Sequence, residues 1–101
     1  MLHLMTSADF KPCLNQSFHL RFDPPQDLAL ELAQVIDLGE VPASGEARRR
    51  PFSLLFYGPT SPGYLPQRIY RLEHTSRGAL DLFLVPIGPE KGRMRYEAVF
   101  N

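Results

Sequence analysis

The spacing of proline and glycine constrains the fold of this chain more than any other sequence feature. Ten prolines and seven glycines are spread over 101 residues and divide the sequence into short runs. Such punctuation is typical of all-β domains, because a long helix does not tolerate these residues in its interior. We therefore expect a mainly antiparallel, all-β protein. At this length a single hydrophobic core is normal, so we predict one small domain over residues 1–101.

Several of the short runs alternate apolar and polar residues. Phe18, Leu20 and Phe22 alternate with polar neighbours in the first run, and Tyr70 and Leu72 do so in a later run. A period of two predicts a strand that buries one face. In addition to the first run, we expect strands at residues 52–58, 68–74, 80–87 and 94–100.

Residues 28–38, LALELAQVIDL, are ambiguous between strand and helix. Their apolar residues alternate at the start, but Leu, Ala and Glu favour a helix and Gly39 could cap its C-terminus. The alternation slips by one residue near Ala33 and Gln34, and a β-bulge produces such a slip. We favour a long bent strand.

The run FSLLFYGP, Phe52–Pro59, is apolar on both faces. This pattern indicates a strand that is central, or whose outer face is covered by the N-terminal segment. Residues 6–14 predict a short helix that plugs one barrel end with Phe10 and Leu14. We predict a six-stranded small barrel or half-barrel meander with this short N-terminal helix, since closure removes exposed strand edges.

Four segments of the chain are similar to a known family. Their order resembles that of short bacterial proteins described only as a domain of unknown function, and the segments are DFKPCLNQSFHL, FSLLFYGP, YRLEHTSRGALDLFLVPIGP and YEAVFN. The resemblance covers nearly the whole chain, apart from the arginine-containing loop. It implies a helix-like start followed by strands, which supports a strand at residues 28–38. It implies no catalytic or binding residue.

The charge balance and the single cysteine suggest where the protein works. Eleven basic and eleven acidic residues give no net charge, so the overall field attracts neither nucleic acid nor an anionic membrane. Cys13 cannot form an internal disulfide, and no apolar run approaches the roughly 20 residues of a membrane span. We predict a cytoplasmic protein that does not enter a membrane.

Catalytic and metal-binding patterns are weak in this sequence. His74 shares the inner face with Tyr70, and a hairpin that pairs Leu72 with Leu82 would place Glu73 opposite Asp81 on the outer face. These three ionisable groups would not converge on one ion. No serine has the context of a nucleophile elbow, and no phosphate-binding glycine loop occurs. We expect no catalytic residue, no metal, no cofactor and no enzymatic activity.

Two loops and one strand supply the predicted interaction residues. In the loop at residues 58–67, Tyr64 and Leu65 either face a partner or fold back to cap the barrel, and Gln67 would tie the loop backbone. A second loop contains three consecutive arginines, and Tyr57 could stack on a base. The possible interaction surface therefore comprises Tyr57, Tyr64, Leu65, Gln67, Arg48, Arg49 and Arg50.

Two functions remain open at this stage. The first, which we favour, is a non-enzymatic interaction or accessory module that binds another protein through the Pro/Tyr loop, an unclosed strand edge or the C-terminal strand. The alternative is a ligand- or single-stranded nucleic-acid-binding barrel that uses Arg48, Arg49, Arg50 and exposed tyrosines. Nucleic acid is not the expected partner, because the chain as a whole is neutral.

Overall fold

The computed structural model describes residues 5–22, 26–38, 51–60 and 65–100, with no side-chain description at residues 21–22 and 26–27. Within these ranges a helical turn, α1, precedes six strands. The elements are α1 (Ser7–Phe10), a 3₁₀ turn (Lys11–Cys13), β1 (Ser17–Phe22), β2 (Gln26–Asp37), β3 (Phe52–Pro59), β4 (Arg68–His74), β5 (Gly78–Glu90) and β6 (Arg93–Phe100). The predicted all-β class with a short N-terminal helix is confirmed. Neither helical turn of the described chain is long and apolar enough to span a membrane.

The six strands form a closed antiparallel barrel in the order β1-β2-β3-β6-β5-β4. The predicted barrel is confirmed, but the strand order is not that of a simple meander. β3 pairs with β6 over eight residue pairs rather than with β4, and β4 returns to pair with β1. The barrel therefore consists of two three-stranded meanders, β1–β3 and β4–β6, which pair through β3 with β6 and through β4 with β1.

β2 is one long strand that bends at a bulge. The pairing with β3 shifts register between Leu32 and Gln34, which is where the alternation of the sequence slips. The extra residue places half-buried Val35 opposite inward-facing Leu54 beyond the bend, whereas Ile36 is exposed. The prediction of a long bent strand over residues 28–38 is confirmed for all but Leu38, which follows the strand end at Asp37.

Inward-facing aromatic and leucine side chains fill the barrel. Phe10 from α1 lies at one end, with its ring centroid 5.9 Å from that of Phe52 and 5.5 Å from that of Phe100. The rings of Phe52 and Phe100 stack across β3 and β6 at 4.5 Å. Phe10 is fully buried, so the prediction that α1 plugs the barrel is confirmed.

β3 is covered on both faces, as predicted. Phe56 points inward, and its ring meets that of Phe18 edge to face at 5.3 Å. On the outer face Ser53 and Leu55 are also buried, whereas Tyr57 is half-buried. A strand with two covered faces needs no alternation of polarity, and this explains the continuous apolar run FSLLF.

The β4–β5 hairpin differs from the predicted register by two residues. Leu72 pairs with Leu80, and Arg71 pairs with Asp81. The turn contains three residues, 75–77, and Gly78 follows it with a φ of +75°, the left-handed conformation expected for this glycine. The predicted pairing of Leu72 with Leu82 needs a longer loop and is wrong. Arg71 rather than Glu73 thus lies opposite Asp81, and the two form an ion pair with Nε of Arg71 3.0 Å from Oδ1 of Asp81.

Candidate functional site

The β3–β4 loop is bound to the barrel end by two tyrosines. Leu65 packs into the core and is 8% exposed, and its backbone N–H donates to the hydroxyl of Tyr96 at 2.9 Å. The hydroxyl of Tyr70 donates to the carbonyl of Pro66 at 2.6 Å. Leu65 therefore folds back rather than facing a partner, and this corrects its inclusion in the interaction surface.

The other loop residues of the predicted surface are either exposed or outside the described residues. The side chain of Gln67 is exposed, and the loop backbone is tied by the tyrosine hydroxyls instead. Four predicted interaction residues lie outside the described residues: Arg48, Arg49, Arg50 and Tyr64. The arginine loop and the tyrosine of the Pro/Tyr loop thus stay predictions.

Tyr57 belongs to a polar network on the outer face of β3. Its hydroxyl donates to a carboxylate oxygen of Glu90 at 2.7 Å, and the guanidinium of Arg93 lies 4.3 Å from its ring centroid. Arg93 also donates to Glu31 at 2.7 Å. The hydrogen bond to Glu90 raises the pKa of the Tyr57 phenol above its usual value and lowers the pKa of the Glu90 carboxyl. The network links side chains of β2, β3, β5 and β6 on the exposed outer face, so Tyr57 is engaged within the domain.

His74 points into the barrel, as predicted, and is 6% exposed. Its Nδ1 accepts hydrogen bonds from the backbone N–H groups of Ser76 at 3.0 Å and Arg77 at 3.2 Å. Nδ1 therefore carries no proton, and Nε2 donates to Oε1 of Gln16 at 2.7 Å. Burial, and then the charge of Arg77, lower the pKa of His74 below its usual value. The neutral imidazole of His74 thus holds the β4–β5 turn through these two backbone hydrogen bonds.

A shallow cavity of about 320 Å³ lies beside this turn. His19 and Glu73, which pair across β1 and β4, contribute to its wall together with His74 and Ala79. Within the described ranges, no three His, Cys, Asp or Glu side chains are placed to hold a metal ion. Thr75 also contributes to the wall, so the lining can offer hydrogen bonds to a small polar group.

The seam between β1 and β4 is the shortest pairing in the barrel wall. It consists of two residue pairs, His19 with Glu73 and Leu20 with Leu72, whereas β4 and β5 pair over seven. β1 stays paired with β2 as far as Phe22 but leaves β4 after Leu20. Residues 68–71 of β4, here called the open edge, consequently have no strand partner on their β1 side within the described chain.

Two large apolar side chains are exposed next to the open edge. Ile69 is 66% exposed and Phe83 is 49% exposed, and they lie directly opposite each other on the outer face of β4 and β5. We call them the outer apolar pair. Sequence reasoning missed this pair, although a signal was present: both residues are out of phase with the buried residues of their own strands, Tyr70, Leu72, Leu82 and Leu84.

A family model matches residues 5–100. The chain belongs to DUF6916, a domain of unknown function. The match confirms the resemblance expected from the four sequence segments. No curated protein and no solved structure matches the chain. The role of this DUF6916 domain therefore has to be argued from its own geometry.

Three features described above lie on the same part of the wall of the DUF6916 domain, which β4 and β5 form. The open edge and the outer apolar pair share β4, and the Arg71–Asp81 ion pair lies one step further along the same face. Arg68 begins β4 at the rim of the barrel. These residues form the candidate functional site.

Proposed function

We propose that this DUF6916 domain is a non-enzymatic interaction module that binds another protein through the outer wall of β4 and β5. The observation that supports this role best is the outer apolar pair. Ile69 and Phe83 face solvent directly opposite each other, next to a strand edge without a partner among the described residues. An apolar cluster beside an unpaired edge is a common arrangement in surfaces that bind peptides and proteins.

The outer apolar pair can contribute substantially to binding. Fully burying a side chain of this size contributes about 1.5–3 kcal/mol relative to leaving it exposed. Because Ile69 and Phe83 are already partly covered, we expect on the order of 2–3 kcal/mol from both together. This contribution suffices for a hot spot at the centre of an interface.

The contacts of the polar residues support a role without catalysis. The imidazole of His74 uses both nitrogens to hold the β4–β5 turn and Gln16. The phenol of Tyr57 is bound to Glu90, and its ring is covered on one face by Arg93. Because these groups are already engaged by their neighbours, they are not free to act as a base or a nucleophile.

The alternative, a ligand- or nucleic-acid-binding barrel, has less support from the described residues. Base stacking needs an open aromatic face, and the guanidinium of Arg93 lies over the ring of Tyr57. Ionic strength separates the two functions. Binding through phosphate contacts weakens steeply between low and physiological salt, whereas binding through the outer apolar pair changes little.

Site-specific crosslinking tests the proposed surface. A photoreactive amino acid at position 83 of the full-length chain is irradiated in the native cell, and the captured protein is then purified for affinity measurements. We expect Phe83→Ser to raise the Kd by about tenfold or more, in line with the loss of about 1.4 kcal/mol or more. Val99→Ser is the matched control, since Val99 is 51% exposed at a different part of the wall. Equal Kd values for the wild type and Phe83→Ser would contradict the proposal.

A further inference from the structure

The open edge specifies what kind of element binds to it. In an antiparallel sheet, alternate residues of a strand direct their backbone N–H and C=O groups to one side. Residues 68–71 are paired with residues 81–84 of β5 on one side, and on the other side no described strand meets them. The groups on that second side are complementary to the backbone of an extended chain.

We infer that the partner contributes an extended segment that adds to the open edge of β4 as a further strand. In this segment an acidic residue lies opposite Arg68, and a neighbouring apolar residue contacts the outer apolar pair. The inference rests on the proposed function, because it names the element that the interaction module recognises.

Charge complementarity selects the acidic residue. Among the described residues Arg68 has no acidic partner, and its guanidinium lies 5.1 Å from the ring centroid of Tyr70. In contrast, Arg71 is paired with Asp81, and Arg93 is paired with Glu31. Opposite charges directly across an antiparallel pair are stabilising, so a Glu or Asp opposite Arg68 gains an ion pair that no described residue supplies.

The alternation of side chains along β4 determines where the apolar residue of the bound segment lies. Arg68 and Ile69 are consecutive, so their side chains point to opposite faces of the sheet. A segment paired with them presents its acidic side chain on the face of Arg68 and its next side chain on the face of Ile69. Ile69 and Phe83 then cover that side chain from β4 and β5. The expected sequence signature is an acidic residue adjacent to a large apolar one within an alternating run.

Backbone methylation tests strand addition without changing the protein. A library of random twelve-residue peptides is displayed and selected on the full-length chain, and the best binder is synthesised with a fluorophore. Two further versions carry N-methyl groups on either set of alternate residues. We expect one version to bind at least about tenfold more weakly and the other to keep its Kd, since only alternate N–H groups face the edge. Equal effects of both methylated versions, or selection of no binding peptide, would overturn the inference.

A charge swap tests the role of Arg68. Arg68→Glu should weaken binding of the selected acidic peptide by about tenfold, and a Lys in place of the peptide acid should restore it. Arg77→Glu is the control, because Arg77 is also an exposed arginine but lies in the β4–β5 turn. Selection of a peptide without an acidic residue, or an equal loss of affinity with Arg77→Glu, would contradict the role assigned to Arg68.

The outcomes separate this inference from the proposed function. If neither methylated peptide binds more weakly but Phe83→Ser still raises the Kd, the peptide binds through side chains alone. In that case the inference fails and the proposed function stands. If neither methylation nor Phe83→Ser changes the Kd, both the inference and the proposed function fail. Dimerisation in analytical ultracentrifugation that the peptide reverses makes a second copy of this chain the occupant, which overturns the inference.

Discussion

The hydroxyl of Tyr96 accepts a hydrogen bond from the backbone N–H of Leu65 at 2.9 Å. Tyr96 lies on β6 and is almost fully buried, and Leu65 lies three residues before the start of β4. The contact therefore joins the second meander to the loop that leads into the open edge. It fixes where β4 starts, and with it the position of Arg68.

Removing the Tyr96 hydroxyl should destabilise the protein. Tyr96→Phe leaves the buried N–H of Leu65 without this acceptor, so we expect a loss of about 1–3 kcal/mol in the free energy of unfolding. Urea unfolding measures the change. Tyr57→Phe is the matched control, because its hydroxyl bonds to Glu90 on the exposed outer face and its removal should leave the midpoint nearly unchanged. Equal losses for both variants would contradict the buried bridge.

Acidification should weaken the fold through His74. Its pKa in the folded state lies below the usual value of about 6.5, so the unfolded chain takes up this proton first. Neutral His74 makes its whole contribution to the free energy of unfolding above about pH 6.5. This contribution is lost as the pH falls below that value, by up to about 1.4 kcal/mol per pH unit. Urea unfolding at several pH values between 7.5 and 5.5 measures this slope, and His74→Gln should flatten it. An unchanged slope in His74→Gln would contradict the assignment of the effect to His74.

Gly58 should not tolerate a methyl group. A Cβ at this inward-facing position would lie 2.5 Å from Cδ2 of Leu30 and 3.3 Å from the ring of Tyr96, both of which are buried. We expect Gly58→Ala to cost about 1–3 kcal/mol, because the core has to shift to relieve the overlap. A double-mutant cycle in unfolding experiments provides the check: the cost should fall when Leu30→Ala removes the clashing methyl group. An unchanged cost in that background would place the strain elsewhere.

Two phenylalanines, Phe56 in the core and Phe83 on the outer surface, should respond very differently to truncation. Phe56→Ala opens a cavity beside Phe18 in the core, and we expect a loss of about 3–5 kcal/mol. Phe83→Ala removes a side chain that faces solvent, so the change should stay within about 0.5 kcal/mol. Thermal and urea unfolding compare the two variants. A loss below about 1 kcal/mol for Phe56→Ala would mean that β3 does not form the core wall.

The local patterns of the sequence predicted the strands well. The alternation around Leu20 and Leu72, the slip at Ala33 and the turn glycine Gly78 all specify backbone geometry within a few residues, and the structure agrees with each. These features can be predicted from the sequence because a strand that buries one face has an apolar residue at every second position.

The pairing of distant strands could not be predicted in the same way. The apolar run of β3 is compatible with any two neighbours, so the sequence does not show that Phe52 pairs with Phe100 on β6. The register of β4 and β5 depended on the length of one turn, and a difference of two residues exchanged Glu73 for Arg71 opposite Asp81. The candidate site results from these long-range pairings, because Ile69 and Phe83 meet only in the observed register.

The position of β6 has a consequence for how the protein is made. Arg93–Phe100 follows the other five described strands along the chain, yet it lies between β3 and β5 and supplies Met94, Tyr96, Ala98 and Phe100 to the interior. The barrel can therefore close only after β6 has been synthesised. A chain truncated at Lys91 would lack the strand that joins β3 to β5 and would expose the apolar interior to solvent.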